Sequence, residues 1–339
     1  MWEHIPVGGE LVDYLKERQK GTEARIQEVR TLLANAEGVL SNKACVYLTG
    51  SFGRLEAGKE SDLDLFILSK TVEKEVGGTS VPVSQLSQLD TILVKADLIK
   101  SVRKLGMPEF DSDGRYLASH TEHDLVASLG APDDDYKNTL TGRLLLFLES
   151  RPLLGAAVHK EAIANVVSAY FRDYPSHSEN FMPSFLANDI LRLWRTFCVN
   201  YEFGRRDNDA AGKIKNYKLK HSRMLTCYSA LLYLLGVFRL EGTVSIDRAK
   251  EMAALTPIER LKWIGEENEF ADAHQKITRI YEKYEEFLRK TDVPKEELYV
   301  QFQAHTKDWS EKSYEFGDLL SEVLNIIGGG TRFHRLILV

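Results

Sequence analysis

The chain has 339 residues, a formal net charge of −6 and a pI near 5.9, which argues against coating of nucleic acid or anionic membranes through the overall field. Its length exceeds the usual size of one hydrophobic core, so two domains are expected. The 3 cysteines predict neither a zinc site nor a disulfide framework. With no basic-then-apolar leader and no apolar run near about 18 residues, we expect a cytoplasmic protein without membrane contact.

Helical spacing comes first along the chain, with apolar residues every three or four positions between 11 and 40. The run CVYLTG at 45–50 is short and β-branched and ends in a turn, which predicts the first strand. DLDLFIL at 62–68 is the second predicted strand, and helical spacing returns over 86–105. A further short strand is expected near 116–120.

Loop chemistry at 131–138, APDDDYKN, marks the predicted domain boundary. Beyond it nearly every segment has helical spacing. The fold class predicted is therefore α+β, with a small mixed-sheet domain and its N-terminal helices over 1–135 and a helical domain over 136–339. The end, GGGTRFHRLILV, is a glycine hinge before a β-prone tail, which predicts either an added edge strand or self-association into a homo-oligomer.

Two aspartates open the second predicted strand. Because side chains of a strand alternate between its faces, Asp62 and Asp64 are expected to project together while Leu63 and Leu65 pack on the other side. Like charges so close repel unless a cation lies between them. Carboxylates together with substrate phosphates are the usual ligands of Mg²⁺. The pair predicts a site for Mg²⁺ or Mn²⁺; the alternative is two solvated acids beginning an edge strand.

The segment GSFGRLE ends the first predicted strand. A glycine turn entering a helix exposes backbone N–H groups, and phosphates bind there readily. Ser51 adds a hydroxyl, Gly53 permits close backbone approach, and Arg54 is placed to contact phosphate oxygens. The nucleotide-binding residues predicted in this region are Gly50, Ser51, Arg54 and Ser61.

The stretch GSFGRLEAGKESDLDLFIL resembles the signature of the DNA polymerase β-like nucleotidyltransferase superfamily, a Gly-Ser turn followed by an Asp-x-Asp strand. The variant G-S-x-G-R-x-E with S-D-L-D-L looks most like the bacterial glutamine synthetase adenylyltransferases and the related uridylyltransferases. The resemblance implies in-line attack of an acceptor hydroxyl on the α-phosphate, with release of pyrophosphate. Cyclic-nucleotide synthases of this superfamily usually carry threonine where this chain has Arg54.

The resemblance also implies a third carboxylate on a neighbouring strand, where it helps to activate the acceptor hydroxyl. Asp111 and Asp113 precede the next predicted strand, and Asp113 is slightly preferred although DSDG is also ordinary turn chemistry. Asp97 lies in a predicted helix and is better interpreted as a surface acid. If neither Asp111 nor Asp113 reaches the site, the chain binds nucleotide without turning it over.

A basic segment, KIKNYKLKHSRML at 213–225, stands out in this acidic chain. Together with DILRLWRTFCV it resembles the helical half of polymerase β-like enzymes, in which lysine and serine grip the triphosphate tail. The residues expected to face the nucleotide by that resemblance are Lys218, Lys220 and Ser222, with Arg192 and Arg195 as second contributors. A solvated helix face has about equal weight, and a nucleic-acid surface with Tyr217 as its stacking group is a third interpretation.

The function predicted is nucleotidyl transfer from a nucleoside triphosphate, ATP favoured, to a hydroxyl of a macromolecule, with protein ahead of RNA as acceptor. The predicted catalytic residues are Asp62, Asp64 and Asp113, of which Asp62 and Asp64 hold the metal. The nucleotide is expected between the two domains. Synthesis of cyclic or linear oligonucleotides is the alternative enzyme function, and a nucleotide-sensing interaction module without turnover is the alternative from another class.

Overall fold

The computed structural model describes residues 9–110, 117, 119–204 and 210–338. It divides into two compact units, which are Glu17–Ala169 and the described parts of 1–16 and 170–339. The strands of the described chain are β1 (Ala44–Leu48), β2 (Leu65–Ser69), β3 (Thr71–Val76), β4 (Thr79–Ser84), β5 (Ser119–Thr121) and β6 (Arg151–Leu154). All of these strands belong to the first unit. The predicted division into 1–135 and 136–339 stays a prediction.

Helices fall into both units. Those with described residues in the first unit are α1 (Gly9–Thr31), α2 (Ala34–Leu40), α3 (Gly50–Gly53), α4 (Gln88–Lys104), α5 (Glu122–Ala127), α6 (Thr139–Glu149) and α7 (Ala156–Tyr170). Those of the second unit are α8 (Tyr174–His177), α9 (Ser184–Gly204), α10 (Ala210–Lys218), α11 (Met224–Glu241), α12 (Ile246–Ala254), α13 (Pro257–Glu266), α14 (Ala271–Thr291), α15 (Lys295–Ala304), α16 (Thr306–Gly328) and α17 (Arg332–Leu338). A π-helix (Leu219–Arg223) joins α10 to α11. The predicted α+β class is confirmed, with a small mixed sheet followed by helices.

The main sheet of the first unit has the strand order β5-β2-β1-β6. β1 pairs antiparallel with β2 and with β6, whereas β2 pairs parallel with β5. One face of β1, with Val46 and Leu48, joins Leu65 and Ile67 of β2 in a core closed by α1, α2 and α4. On the other face Tyr47 stacks on Phe66. This arrangement brings the end of β1 next to the start of β2, where the predicted site residues lie.

The observed strands differ from the predicted ones in their bounds and include a hairpin that was not predicted. The second strand begins at Leu65, not at 62, because its ladder starts opposite Leu48, the last residue of β1. The β3–β4 hairpin at 71–84 was not predicted, although its alternating sequence surrounds a Gly77-Gly78 turn. The predicted strand near 116–120 is observed at Ser119–Thr121, and residues 116 and 118 lie outside the described chain.

The C-terminal tail is helical, so the prediction of an added edge strand is wrong. Residues Arg332–Leu338 form α17. Phe333 and Ile337, four positions apart, are both buried, and the Phe333 ring packs edge-on against Phe238. Helical spacing of these apolar residues buries both on one side, which outweighs the β-propensity of the sequence LILV. Self-association of the protein stays a prediction.

The second unit is built around one long apolar helical segment, Ala210–Glu241. By length and composition this segment could cross a membrane, yet 67% of its apolar window is buried inside the structure. From Leu225 to Val237 most of its side chains are buried. The neighbouring stripes predicted from helical spacing are buried too, as with Ile190 in α9 and Ile280 in α14. We therefore interpret the segment as the central core helix of this unit.

The π-helix places His221 inside an aromatic cluster. The imidazole stacks on Phe287 at 4.7 Å and on Phe316 at 4.8 Å between ring centroids, and its Nδ1–H donates to the carbonyl of Tyr217 at 2.8 Å. Burial lowers the pKa of His221 to about 4 from its ordinary 6.5. In the first unit burial lowers the pKa of His159 to about 4 as well. Both histidines are therefore neutral in the folded protein at pH 6 to 7.

We expect the free energy of unfolding to decrease as the pH falls from about 6.5 towards 4, because each histidine takes up a proton on unfolding. Their stabilising contribution is complete above pH 6.5 and is lost as the pH falls through the folded pKa of about 4. The slope reaches at most about 1.4 kcal/mol per pH unit for each histidine. Urea unfolding of wild type and His221→Phe at several pH values measures it. A variant whose pH dependence in this window equals that of wild type would contradict the assignment to His221.

Candidate active site

A glycine-serine loop, residues 49–56, follows β1 and includes the short helix α3. Gly50 has φ +62°, a left-handed conformation in which a side chain is strained. A Cβ added at Gly50 would lie 2.2 Å from Oδ2 of Asp64. In addition, the backbone N–H of Thr49 donates to the carbonyl of Asp64 at 2.8 Å. The structure thus brings the loop and the second aspartate into direct contact.

Asp62 and Asp64 lie just ahead of β2, and each is partly exposed. Leu63 between them is 3% exposed. The alternation of faces expected for a strand therefore continues ahead of the ladder, and both acids lie on the side away from the core.

The donor set at Asp62 and Asp64 fits one kind of metal site. The described residues contain no group of three or more His, Cys, Asp and Glu side chains that could hold a metal ion. Two carboxylates by themselves match the habit of Mg²⁺, which keeps waters and takes substrate phosphates as further ligands. They do not match a site formed entirely by protein ligands, such as those of structural zinc. Asp62 and Asp64 could therefore hold Mg²⁺ or Mn²⁺ together with nucleotide, and their assignment as metal ligands stays a prediction.

A buried carboxylate, Glu149 at the end of α6, supports the loop from behind. Its Oε1 accepts the backbone N–H of Gly50 at 3.0 Å. A Cβ added at Gly53 would lie 1.9 Å from the carbonyl oxygen of Glu149, so the two backbones are in contact. The N–H of Gly50 is therefore satisfied within the protein, and Gly50 serves the site through its conformation and its missing side chain.

The backbone N–H groups of Ser51 and Phe52 have no hydrogen-bond acceptor among the described residues. They come directly after Gly50. Ser51 is partly exposed, whereas Phe52 is 0% exposed, so of the two only the Ser51 N–H is open to a ligand. A backbone N–H without an internal acceptor, next to a left-handed glycine, is the kind of donor that binds phosphate oxygens. Ser61 closes the segment that leads to the aspartates, since its Oγ accepts the N–H of Gly58 at 2.9 Å.

Arg54 forms part of the support of the loop. Its Nε–H donates to Glu56 at 2.6 Å and an Nη–H donates to Glu149 at 2.8 Å, and all three side chains are at most 8% exposed. Two more arginines reach the region from α1: Arg18 donates to the carbonyl of Glu56 at 2.9 Å, and Arg25 donates to that of Gly58. The predicted contact of Arg54 with phosphate stays a prediction.

The third carboxylate predicted from the resemblance stays a prediction. Asp111 and Asp113 lie outside the described residues. Asp97 lies in α4, where its Oδ1 is 3.9 Å from Nζ of Lys100.

The basic segment lies in the second unit, in α10 and the π-helix. Nζ of Lys220 lies 4.2 Å from the ring centroid of Tyr314, and Ser222 is 8% exposed and donates its hydroxyl to the carbonyl of Lys218 at 2.8 Å. Arg223 lies over Phe197 at 5.4 Å. The contribution of Lys218, Lys220 and Ser222 to triphosphate binding stays a prediction.

Sequence reasoning missed Glu149 as the acceptor of the Gly50 N–H and Glu56 as a structural partner of Arg54. Glu149 lies 99 residues after Gly50 at the end of an apolar helix, and no local motif connects the two. Glu56 belongs to the quoted G-S-x-G-R-x-E pattern. Its spacing of two from Arg54 was the available signal for an ion pair behind the loop.

Comparison with known proteins agrees with this geometry. Residues 29–117 match the family model of the nucleotidyltransferase domain, and this match includes the glycine-serine loop and both aspartates. The segment is thus a nucleotidyltransferase domain of the polymerase β-like superfamily, a class of enzyme that transfers a nucleoside monophosphate from a nucleoside triphosphate. No curated protein and no solved structure matches the chain. The finer resemblance to glutamine synthetase adenylyltransferases stays a prediction.

Proposed function

We propose that the protein is a cytoplasmic, metal-dependent nucleotidyltransferase that moves AMP from ATP to a hydroxyl of a macromolecule, with a protein as the favoured acceptor. The observation that carries this proposal is the contact between Gly50 and Asp64. A Cβ added at Gly50 would lie only 2.2 Å from the Oδ2 of Asp64. The loop that would donate hydrogen bonds to phosphate follows β1, and the acidic residues that would bind the metal precede β2. Contact between the loop and the acidic residues supports a site at which both act on one triphosphate.

The reaction is an in-line displacement at the α-phosphorus. The acceptor oxygen forms a bond to phosphorus, the bond to the β-phosphate oxygen breaks, and pyrophosphate leaves with its electron pair. The backbone N–H of Ser51 donates to a phosphate oxygen and so helps to hold the triphosphate. Asp62 and Asp64 hold the divalent cation, which when bound offsets charge on the attacking and leaving oxygens. Asp113 is proposed to take the proton of the acceptor hydroxyl.

Pyrophosphate release from each of the four ribonucleotides, with Mg²⁺ or Mn²⁺ and with or without cell lysate, tests this proposal. Label at the α-phosphate is followed into protein, RNA and small-molecule fractions. We expect release with ATP and label in the protein fraction. Label on RNA ends or in a phosphatase-resistant small product would replace the protein acceptor by one of the alternative functions. Nucleotide binding without pyrophosphate release under any condition would overturn the enzyme and favour a sensing module.

The predicted triphosphate grip has a test of its own within this proposal. If Lys218 and Lys220 bind the tail, ATP stabilises the protein in the presence of Mg²⁺ and ADP does so much less. The double variant Lys218→Gln with Lys220→Gln is expected to remove that difference. Equal stabilisation of wild type by ATP and ADP would favour the interpretation of these lysines as a solvated helix face.

A further inference from the structure

We propose that Glu149 is a positioning residue for nucleotide binding, which fixes the backbone of Gly50 so that the N–H of Ser51 points at the triphosphate beside Asp64. This inference rests on the proposed function of the site. It assigns a role in that site to a residue outside the segment 29–117 that matches the nucleotidyltransferase domain.

Glu149 contacts the glycine-serine loop at three points. One carboxylate oxygen accepts the Gly50 N–H at 3.0 Å, and the other accepts from Arg54 at 2.8 Å. Its own carbonyl oxygen occupies the place of a side chain at Gly53. Glu149 therefore binds the first residue of the four-residue helix α3 and packs against its last, and the partly exposed Ser51 lies between them.

Water cannot replace the contacts of the Glu149 carboxylate with Gly50 and Arg54. The side chain of Glu149 is 0% exposed, and that of Arg54 is 6% exposed. A buried carboxylate requires charged or polar partners, and hydrogen bonds to an ionised group are stronger than those between neutral groups. Loss of the charge leaves the Gly50 N–H and the Arg54 guanidinium competing for one acceptor. The backbone at Gly50 is then held less firmly on the side opposite to Asp64.

Gly50 connects Glu149 to the predicted metal ligands. Gly50 is held on one side by Glu149 and is in contact with the carboxylate of Asp64 on the other. A displacement of Gly50 thus changes the direction of the Ser51 N–H and the space available to Asp64 together. A residue that served only the stability of the unit would have no such effect on nucleotide affinity.

Glu149→Gln and Glu56→Gln form a matched pair of variants for the test. Both remove one of the carboxylates paired with Arg54, and both keep the shape of the side chain. Of these two carboxylates, only that of Glu149 accepts the Gly50 N–H, whereas that of Glu56 accepts from Nε of Arg54. The readouts are hydrogen exchange of the Gly50 amide, the melting temperature, and KM and kcat for ATP in pyrophosphate release.

We expect Glu149→Gln to raise KM for ATP about tenfold, the factor corresponding to roughly one lost hydrogen bond, and to speed exchange of the Gly50 amide. Glu56→Gln should lower the melting temperature similarly, because it breaks a buried pair with Arg54, and should leave KM within about twofold of wild type, because the Gly50 N–H stays bonded to Glu149. A KM near the wild-type value in Glu149→Gln, or equal KM increases in both variants, would overturn the positioning role.

The experiment separates this inference from the proposed function. If wild type binds ATP with Mg²⁺ but releases no pyrophosphate, the enzyme proposal fails, and the dissociation constant for ATP replaces KM in the same comparison of variants. A tenfold weaker binding in Glu149→Gln alone then still supports the positioning role. Failure of wild type to bind any of the four ribonucleotides would overturn both.

Discussion

Asp62→Asn and Asp64→Asn are each expected to reduce pyrophosphate release at least about a thousandfold, since several kcal/mol of transition-state stabilisation depend on the bound cation. The amide keeps the size of the side chain but loses the charge that holds a divalent cation. Both residues are partly exposed, so the fold should tolerate the change. Initial rates with ATP and Mg²⁺, together with circular dichroism spectra, measure the two effects.

Asp97→Asn is the matched control, because it makes the same substitution in the same unit on helix α4. Its carboxylate is 3.9 Å from Lys100 in a pair on the helix surface, a contact of small energetic value. The control should keep wild-type activity. Wild-type turnover in both Asp62→Asn and Asp64→Asn would remove these residues from the metal site.

Gly53→Ala is expected to destabilise the first unit by at least about 3 kcal/mol, because the new methyl group overlaps atoms that cannot move away cheaply. A Cβ at this position would lie 1.9 Å from the carbonyl oxygen of Glu149 and 2.9 Å from that of Leu48, and both are backbone atoms. Urea unfolding followed by fluorescence measures the change, with the slope of the transition checked for two-state behaviour.

Gly21→Ala makes the same substitution at a position where we expect it to increase the free energy of unfolding. Gly21 lies within α1, and a Cβ there meets no atom within 4 Å. Alanine should therefore stabilise the protein by about 0.5–1 kcal/mol through helix propensity. If both glycine variants changed stability equally, close packing of Gly53 against Glu149 would not be the cause.

The sequence was sufficient for the parts of the site that are local. The Gly-Ser turn and the two aspartates form one short pattern, and alternation of side chains is enough to place Asp62 and Asp64 on one side. The start of β2 could not be read in the same way, because its first residue is determined by where β1 ends, at Leu48. A strand ladder depends on its partner, whereas the alternation of faces depends only on the extended backbone.

Contacts between residues that are far apart in the sequence were not predicted. Glu149 contacts Gly50 across 99 positions, and β6 joins the sheet from beyond the predicted domain boundary. In the C-terminal tail the β-propensity of LILV was misleading, since burial of Phe333 and Ile337 favours a helix. The β3–β4 hairpin was predictable, as two alternating runs around Gly-Gly are a strong hairpin signal.

The long separation between Gly50 and Glu149 also determines when the loop is completed during synthesis. At about 5–20 residues per second, a ribosome needs roughly 5–20 s to add the residues between them. The antiparallel pair of β1 and β2 can form during that time, because their sequence separation is short. The backbone of the glycine-serine loop can reach its final conformation only after the end of α6 has been synthesised, because Gly50 bonds to Glu149. The nascent protein can therefore pair its two central strands before its nucleotide site is complete, whereas β6 joins the sheet only after Glu149 has been added.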